Sequence, residues 1–303
     1  CSSDLETPHF IPAYSQKVKA SKEFQTFQFD HSFVLNSLKS SMEGYVFHNQ
    51  PLDTDDLLEQ TVKLFNSCKT SLELFDMLHN MRAYDDSTHA HSLNVALICR
   101  RIGKWLKVDA ATLDTLTLCG LLHDIGKLKI PDEILNKPGK YTDEEFDLVK
   151  RHTKFGYELL KPLNIDPHIK KAALLHHERC DGSGYPLKAT QKDLDDFSMV
   201  VAIADVYDAM TAARSYRAPL CPFQVIERFE QEGLQKYKPK FILTFLQHIA
   251  STYQNNRVLL SNGQSANIVM LNQQHLARPI VQLNDNSCID LSTRLDLHIQ
   301  SIL

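Results

Sequence analysis

The stretch Ser198-Met-Val-Val-Ala-Ile-Ala-Asp205-Val-Tyr-Asp208-Ala-Met-Thr-Ala-Ala213 is apolar on almost every side of a helix, yet it carries two aspartates. A helix that is hydrophobic all round belongs inside a bundle, not on its surface. The stretch therefore predicts a central, buried helix around which the rest of the chain packs. An ionised carboxylate in such a place is costly unless something compensates it. A metal ion is the strongest partner Asp205 could have.

Upstream, the signals are helical for more than a hundred residues. Asp166-Pro167 opens a helix that ends at His176 and His177. Thr142 and Glu145 have the spacing of a capping box, and Val149, His152, Phe155 and Leu159 follow at helical intervals, so one helix is expected to carry His152 on its core face. A further helix is expected over 110–127, with Leu116, Cys119 and His123 on one face and a stop near Gly126 and Pro131. Another runs from about Thr88 to Lys104, where His91, Val95, Ile98 and Ile102 form a buried stripe and His89 points elsewhere.

The flanks read differently. From Asp53, with Asp53 and Thr54 as cap candidates, Leu57, Val62, Phe65, Leu72, Phe75 and Leu78 predict a lead-in helical pair. The first fifty residues lack sustained periodicity apart from a short helix around Ser32–Ser40. After about Tyr253, two strands are expected around Asn262-Gly263, and a second hairpin around Asn284-Asp-Asn. The expected fold is mainly α: a helical bundle over 81–255, a partly helical lead-in over 1–80, and a small C-terminal β module over 256–303.

With 303 residues, 43% of them hydrophobic, the chain can bury one core of ordinary size and carry attachments. A net charge of −4 offers no field for a nucleic-acid polymer, so phosphate must be bound by local cations. Seven scattered cysteines suit reduced thiols in a cytoplasm, and no apolar run is long enough to span a membrane. The chain begins at Cys1 and not at Met, which fits a trimmed or processed piece of a longer protein.

What stands out is the set His91, His123, Asp124, His152, His176, His177 and Asp205, all on core-facing or helix-end positions of consecutive helices. Helical bundles converge such side chains on metals. Imidazole and carboxylate donors suit iron or manganese, and a carboxylate can bridge two ions. Behind His176-His177-Glu178 lies Asp181-Gly-Ser-Gly-Tyr185-Pro186, a loop composed for a ligand. The remaining histidines read as ordinary core or surface residues.

The order and spacing of these residues resemble the HD-GYP family, a branch of the HD phosphohydrolases that cleaves cyclic dinucleotides. The likeness spans about residues 85–250 and implies that the helical bundle is of HD type. It rests on His123-Asp124-Ile-Gly-Lys127, His152, the whole His176–Pro186 signature, and Asp205-x-x-Asp208-Ala-Met-Thr211 followed by Arg214-x-Tyr-Arg217. It implies that His91, His123, Asp124 and Asp205 hold one divalent metal, with Asp124 bridging to a second held by His152, His176 and His177. Iron is the expected metal and manganese the other candidate. It also implies that Lys127, Tyr185, Arg214 and Arg217 contact the substrate, Lys127 reaching the cluster through an i,i+4 relation to His123. Asp208 and Glu178 are expected to orient other side chains.

The expected function is hydrolysis of cyclic di-GMP to linear pGpG by a metal-activated hydroxide, with Asp124 and Lys127 catalytic and GMP, from a second cut, as the alternative end product. Another cyclic dinucleotide such as 3′,3′-cyclic GMP-AMP, or a non-catalytic sensor role, are the competing readings. Self-association into a homodimer is compatible with either. One departure is Ser87, which stands where some family members carry a Glu for a third metal; a two-metal centre is therefore expected.

Overall fold

The structure, a computed structural model, describes residues 14–81, 87–212 and 220–303. Helices run in the order α1 (Tyr14–Ala20), α2 (Lys22–His48), α3 (Thr54–Ser67), α4 (Ser71–Met81), α5 (Thr88–Trp105) and α6 (Ala110–Leu122). A 3₁₀ turn (Ile125–Lys129) follows, then α7 (Asp132–Leu135), α8 (Asp143–Lys150), α9 (His152–Leu160), α10 (Pro167–Leu175), α11 (Asp196–Thr211), α12 (Pro222–Glu232) and α13 (Pro239–Thr252).

Most helix starts are written in the sequence. Asp53, Asp109, Asp166 and Asp195 each accept an exposed backbone N–H with their carboxylates, and Ser87 does so with its hydroxyl. The Thr142/Glu145 capping box is complete, and Pro167 occupies the first turn of α10. The expected central helix is α11: Met199 to Asp205, Tyr207 and Asp208 are all buried, and the element packs against α5, α6 and α10.

Three helical expectations need correction. The short helix at Ser32–Ser40 is the middle of the 27-residue α2, which buries Phe24, Phe27, His31, Val34, Leu35, Leu38 and Met42 along one stripe. Phe29, Phe33 and Phe47 lie off that stripe and are more than half exposed, which hid the period in the sequence. The helix expected over 110–127 stops at Leu122, with His123 and Asp124 at its junction with the 3₁₀ turn. The single helix expected to run from Thr142 through His152 is two, α8 and α9, broken at Arg151, so His152 opens a helix and does not sit midway along one.

The C-terminal residues form an antiparallel sheet in the order β4-β3-β2-β1-β5, from β1 (Arg257–Leu260), β2 (Ser265–Met270), β3 (Ile280–Leu283), β4 (Cys288–Asp290) and β5 (Ile299–Ile302). Both expected hairpins are present, the first with Val258 opposite Ala266 and Gly263 at φ 84° in its turn. The fifth strand escaped the sequence reading. Its four residues follow a turn-rich stretch, and it pairs with β1 forty residues upstream. Val258, Leu260, Ile268, Val281 and Ile299 continue the helical core, and Arg278 pairs with Glu227 of α12 at 2.7 Å.

Candidate metal centre

Asp124 sits where α6 gives way to the 3₁₀ turn, buried to 1% exposure, with both carboxylate oxygens facing histidines. Its Oδ2 lies 3.2 Å from His123 Nε2 and 3.6 Å from His91 Nε2. Its Oδ1 lies 3.3 Å from His152 Nε2 and 3.7 Å from His176 Nε2. Asp205, one turn before Asp208 on α11, is 3.0 Å from His91 Nε2 and 3.7 Å from His177 Nδ1. The seven residues thus gather into two neighbouring donor groups: Asp124, His152, His176 and His177 in one, and His91, His123 and Asp205 in the other.

Local hydrogen bonds decide which ring nitrogen faces inward. The Nδ1 atoms of His123, His152 and His176 lie 2.7, 2.6 and 2.9 Å from the carbonyls of Gly120, Val149 and Ala172, each one helical turn back. A carbonyl only accepts, so Nδ1 carries the proton and Nε2 offers a lone pair toward Asp124. His91 is held in the same way by a carboxylate, its Nδ1 donating to Asp208 Oδ2 at 2.5 Å. Asp208 therefore has the orienting role expected of it.

Burial pushes His176 well below the ordinary imidazole range, His152 down to about 4 and His177 to about 3, and it also lowers His91. At His123 burial acts downward too, but the charges of Asp124 and Asp205 outweigh it and raise the group. Asp124 is held well below the carboxylate range because Lys127, His123 and His152 overcome the cost of burying it, and Asp205 because His91, His177 and His123 do the same. Neutral imidazole lone pairs facing carboxylate lone pairs repel unless a cation lies between. His123 Nε2 and Asp124 Oδ1 are buried with no hydrogen-bond partner, as donors waiting for a cation would be. The donor set fits divalent metal binding.

Lys127 reaches the cluster by a different route from the one expected. The tighter 3₁₀ turn sets its ammonium 2.6 Å from Asp124 Oδ2, an i,i+3 relation to Asp124 in place of i,i+4 to His123. The close approach of this turn to α9 depends on Gly126, where a β-carbon would lie 1.9 Å from the His152 carbonyl. Glycine at that point lets Asp124 and His152 share one site.

The signature loop folds back onto its own histidines. Tyr185 N donates to His177 O at 3.3 Å, and the two rings stack with centroids 4.7 Å apart. Gly184 permits this, since a β-carbon there would meet the Glu178 backbone at 2.4 Å. Glu178 does not orient a histidine or an arginine as expected. Its oxygens accept the Leu187 and Ala189 amides at 2.5 and 3.1 Å and brace the loop from beneath. Ser87 spends its hydroxyl on the Ala90 amide as the cap of α5. Arg214 and Arg217 lie outside the described residues.

Above the cluster opens a cavity of about 800 Å³, lined by His91, Lys127, His152, His177, Tyr185 and Asp205 among others. Arg179, which the sequence reading passed over, also lines it. Its Nη1 donates to the His176 and Glu178 carbonyls, and its guanidinium lies 5.5 Å over the Tyr237 ring. Its place inside the signature was the available clue. Of the other histidines, His31, His79 and His168 pair with Asn94, Tyr207 and Asp195, away from the cluster.

Comparison with known proteins agrees with this geometry. The HD domain family matches residues 56–241. A cyclic di-GMP phosphodiesterase of Thermotoga maritima is 36% identical over 178 residues, 58% of this chain and 48% of the relative. One of Pseudomonas aeruginosa is 32% identical over 207 residues, 68% and 50% respectively. A 3'3'-cGAMP-specific phosphodiesterase of Vibrio cholerae is 34% identical over 183 residues, 59% and 35%. The chain thus spans half or less of the length of these relatives. Among solved structures, an HDG"Y"P protein from Bdellovibrio bacteriovorus shares the fold with a TM-score of 0.60 at 18% identity, covering 77% of this chain and 74% of its own. No described helix is long and apolar enough to cross a membrane. By the extent of the family match and the His176–Pro186 signature, the chain belongs to the HD domain family, in its HD-GYP branch.

Proposed function

We propose that this protein is a metal-dependent phosphodiesterase that hydrolyses cyclic di-GMP to linear pGpG. The observation that carries the reading is Asp124, whose two oxygens face two separate sets of histidines. His91, His123, Asp124 and Asp205 would hold one divalent ion and Asp124, His152, His176 and His177 a second, iron before manganese. When bound, such a pair supplies a water made nucleophilic near neutral pH and a positive clamp on the phosphate.

The chain's own groups do the rest. Carbonyls and Asp208 keep protons on the outer ring nitrogens, so the inner ones stay donors to metal. Lys127, partly exposed to the cavity, adds positive charge where negative charge builds on phosphate oxygens. Tyr185 presents a ring held in place by its stack on His177, suited to a guanine face. Arg214 and Arg217 match the family positions that contact the substrate phosphates. Reduced cysteines and a small signalling nucleotide as substrate fit a cytoplasmic protein.

A second reading keeps the chemistry and changes the base. The relatives named for 3'3'-cGAMP and those named for cyclic di-GMP resemble this chain about equally, 34% against 36% identity. The test is metal analysis of the purified chain with parallel turnover of cyclic di-GMP and 3'3'-cGAMP by wild type and Asp124→Ala. About two ions per chain and loss of turnover in the variant support the proposal. Full turnover in Asp124→Ala, or a metal-free protein that binds the nucleotide without cleaving it, sinks it.

A further inference from the structure

Helix α2 precedes the residues matched by the HD family, yet it borders the site. Beside its core stripe runs a second one, Lys39, Glu43 and Phe47, repeating every four residues along one flank. Lys39 and Phe47 are exposed and Glu43 is half-buried, so this flank is not spent on the core. It faces the 3₁₀ turn and α7, and between them lies a second cavity of about 630 Å³. Ser87, Thr88, Lys127, Leu135 and Asn136 line both this cavity and the one above the metal cluster. The two chambers therefore adjoin, with Lys127 in the wall between them.

A cyclic dinucleotide carries two bases and two phosphates, and only one diester can lie at the cluster at a time. The other half needs a surface of its own, within reach of the first and able to take both a ring and an anion. The second chamber offers both. Phe47 is 54% exposed. Lys129 donates to the Val46 carbonyl at 3.4 Å, and its ammonium lies 5.4 Å from the centre of the Phe47 ring. An aromatic plate beside cations is the combination on which single nucleotides stack.

Resting on the phosphodiesterase reading above, we propose that this chamber is the subsite for the far nucleotide. Its base lies on Phe47, its phosphate is drawn to Lys39 and Lys129, and Glu43 reads the base edge. A carboxylate only accepts hydrogen bonds. Guanine offers two adjacent N–H groups on its pairing edge, where adenine offers one donor beside an acceptor, so Glu43 favours guanine. Specificity in this chain is then shared by a helix that lies ahead of the HD-matching residues.

The metal-loaded full chain is assayed with cyclic di-GMP, cyclic di-AMP and bis(para-nitrophenyl) phosphate, a diester too small to reach the second chamber. Both Phe47 and Glu43 border solvent, so Phe47→Ala and Glu43→Gln should leave the fold intact, which circular dichroism checks. Phe47→Ala is expected to raise KM for cyclic di-GMP roughly tenfold with kcat little changed, and to lower its kcat/KM relative to the small diester by the same factor. Glu43→Gln is expected to narrow the preference for cyclic di-GMP over cyclic di-AMP several-fold. A KM in Phe47→Ala within twofold of wild type, or an equal fall on both substrates, overturns the subsite. Unaltered base preference in Glu43→Gln overturns the base contact. A wild type that cleaves the small diester and no cyclic dinucleotide overturns the functional reading itself, and the subsite with it.

Discussion

Asp124 and the histidines around it show how single side chains define the site. At His91, His123, His152 and His176 the inward-facing nitrogen is a donor because the other ring nitrogen has a fixed proton acceptor, and the Asp208 contact to His91 is the one of these made by a side chain that can be changed cleanly. Asp208→Asn should weaken metal affinity about 10–100-fold, the range seen when such orienting partners are altered, as read by chelator competition. Protonation gives a second prediction, for the metal-free protein. In the unfolded chain a histidine titrates near about 6.5, whereas burial holds folded His152 at about 4 and His177 at about 3. Between those values the unfolded state binds more protons, so stability is full above about 6.5 and is lost as pH falls toward the folded values. His123, raised by its carboxylate neighbours, acts in the opposite sense and loses its contribution as pH rises. Asp124 and Asp205, held low, lose theirs only in stronger acid. The melting temperature of the metal-free chain should therefore drop between about pH 6.5 and 4, and His177→Gln should make the drop shallower. A flat profile over that range would show that these rings are not buried neutral.

Among the elements, the 3₁₀ turn and the signature loop do most to build the site, and both depend on close backbone approach. Gly126→Ala forces a β-carbon into the His152 carbonyl, so the turn and α9 must separate. The expected result is a loss of at least about 2 kcal/mol in stability, read by denaturant titration, together with weaker metal binding as Asp124 moves from His152. Glu178→Ala leaves the Leu187 and Ala189 amides without their acceptor. A loss of about 1.5–3 kcal/mol is expected, and hydrogen exchange should quicken at those two amides while α5 stays protected. How legible these elements were varied with how local their causes are. Caps at Asp53, Thr142 and Asp166 mark starts that the structure keeps. Neither Leu122–Asp124 nor Arg151 holds a Gly or Pro, and the segments that follow these breaks, the 3₁₀ turn and α9, pack against each other.

For the whole molecule, α11 is the axis: it is buried along its length and carries both Asp205 and Asp208 to the cluster. The C-terminal sheet shares core with α12 and α13 through Val258, Leu260, Ile268 and Ile299, and Glu230 accepts the Leu276 amide at 3.0 Å. Removing residues 256–303 should expose that apolar face. The truncated chain is expected to melt at least about 5 °C lower, or to aggregate, by calorimetry and light scattering; an unchanged melting temperature would show that the sheet is only an appendage. The same sheet illustrates a limit on reading order from sequence. Its two hairpins are local and visible, whereas β5 acquires its identity from β1, far upstream.

The sequence by itself determined the chemistry of this protein: which imidazoles and carboxylates are present, the capped helices that carry them, and a buried helix that only a charged partner could justify. Those are matters of residue type and short spacing, and they survive folding because caps and periodicity act within a turn or two. The tertiary structure alone decided that Lys127 reaches Asp124 through a 3₁₀ turn and that α2 walls a second chamber. Each of these depends on elements tens of residues apart meeting at one place. Which donors meet is governed by how helices pack, and packing is a property of the whole core and of no single stretch of chain.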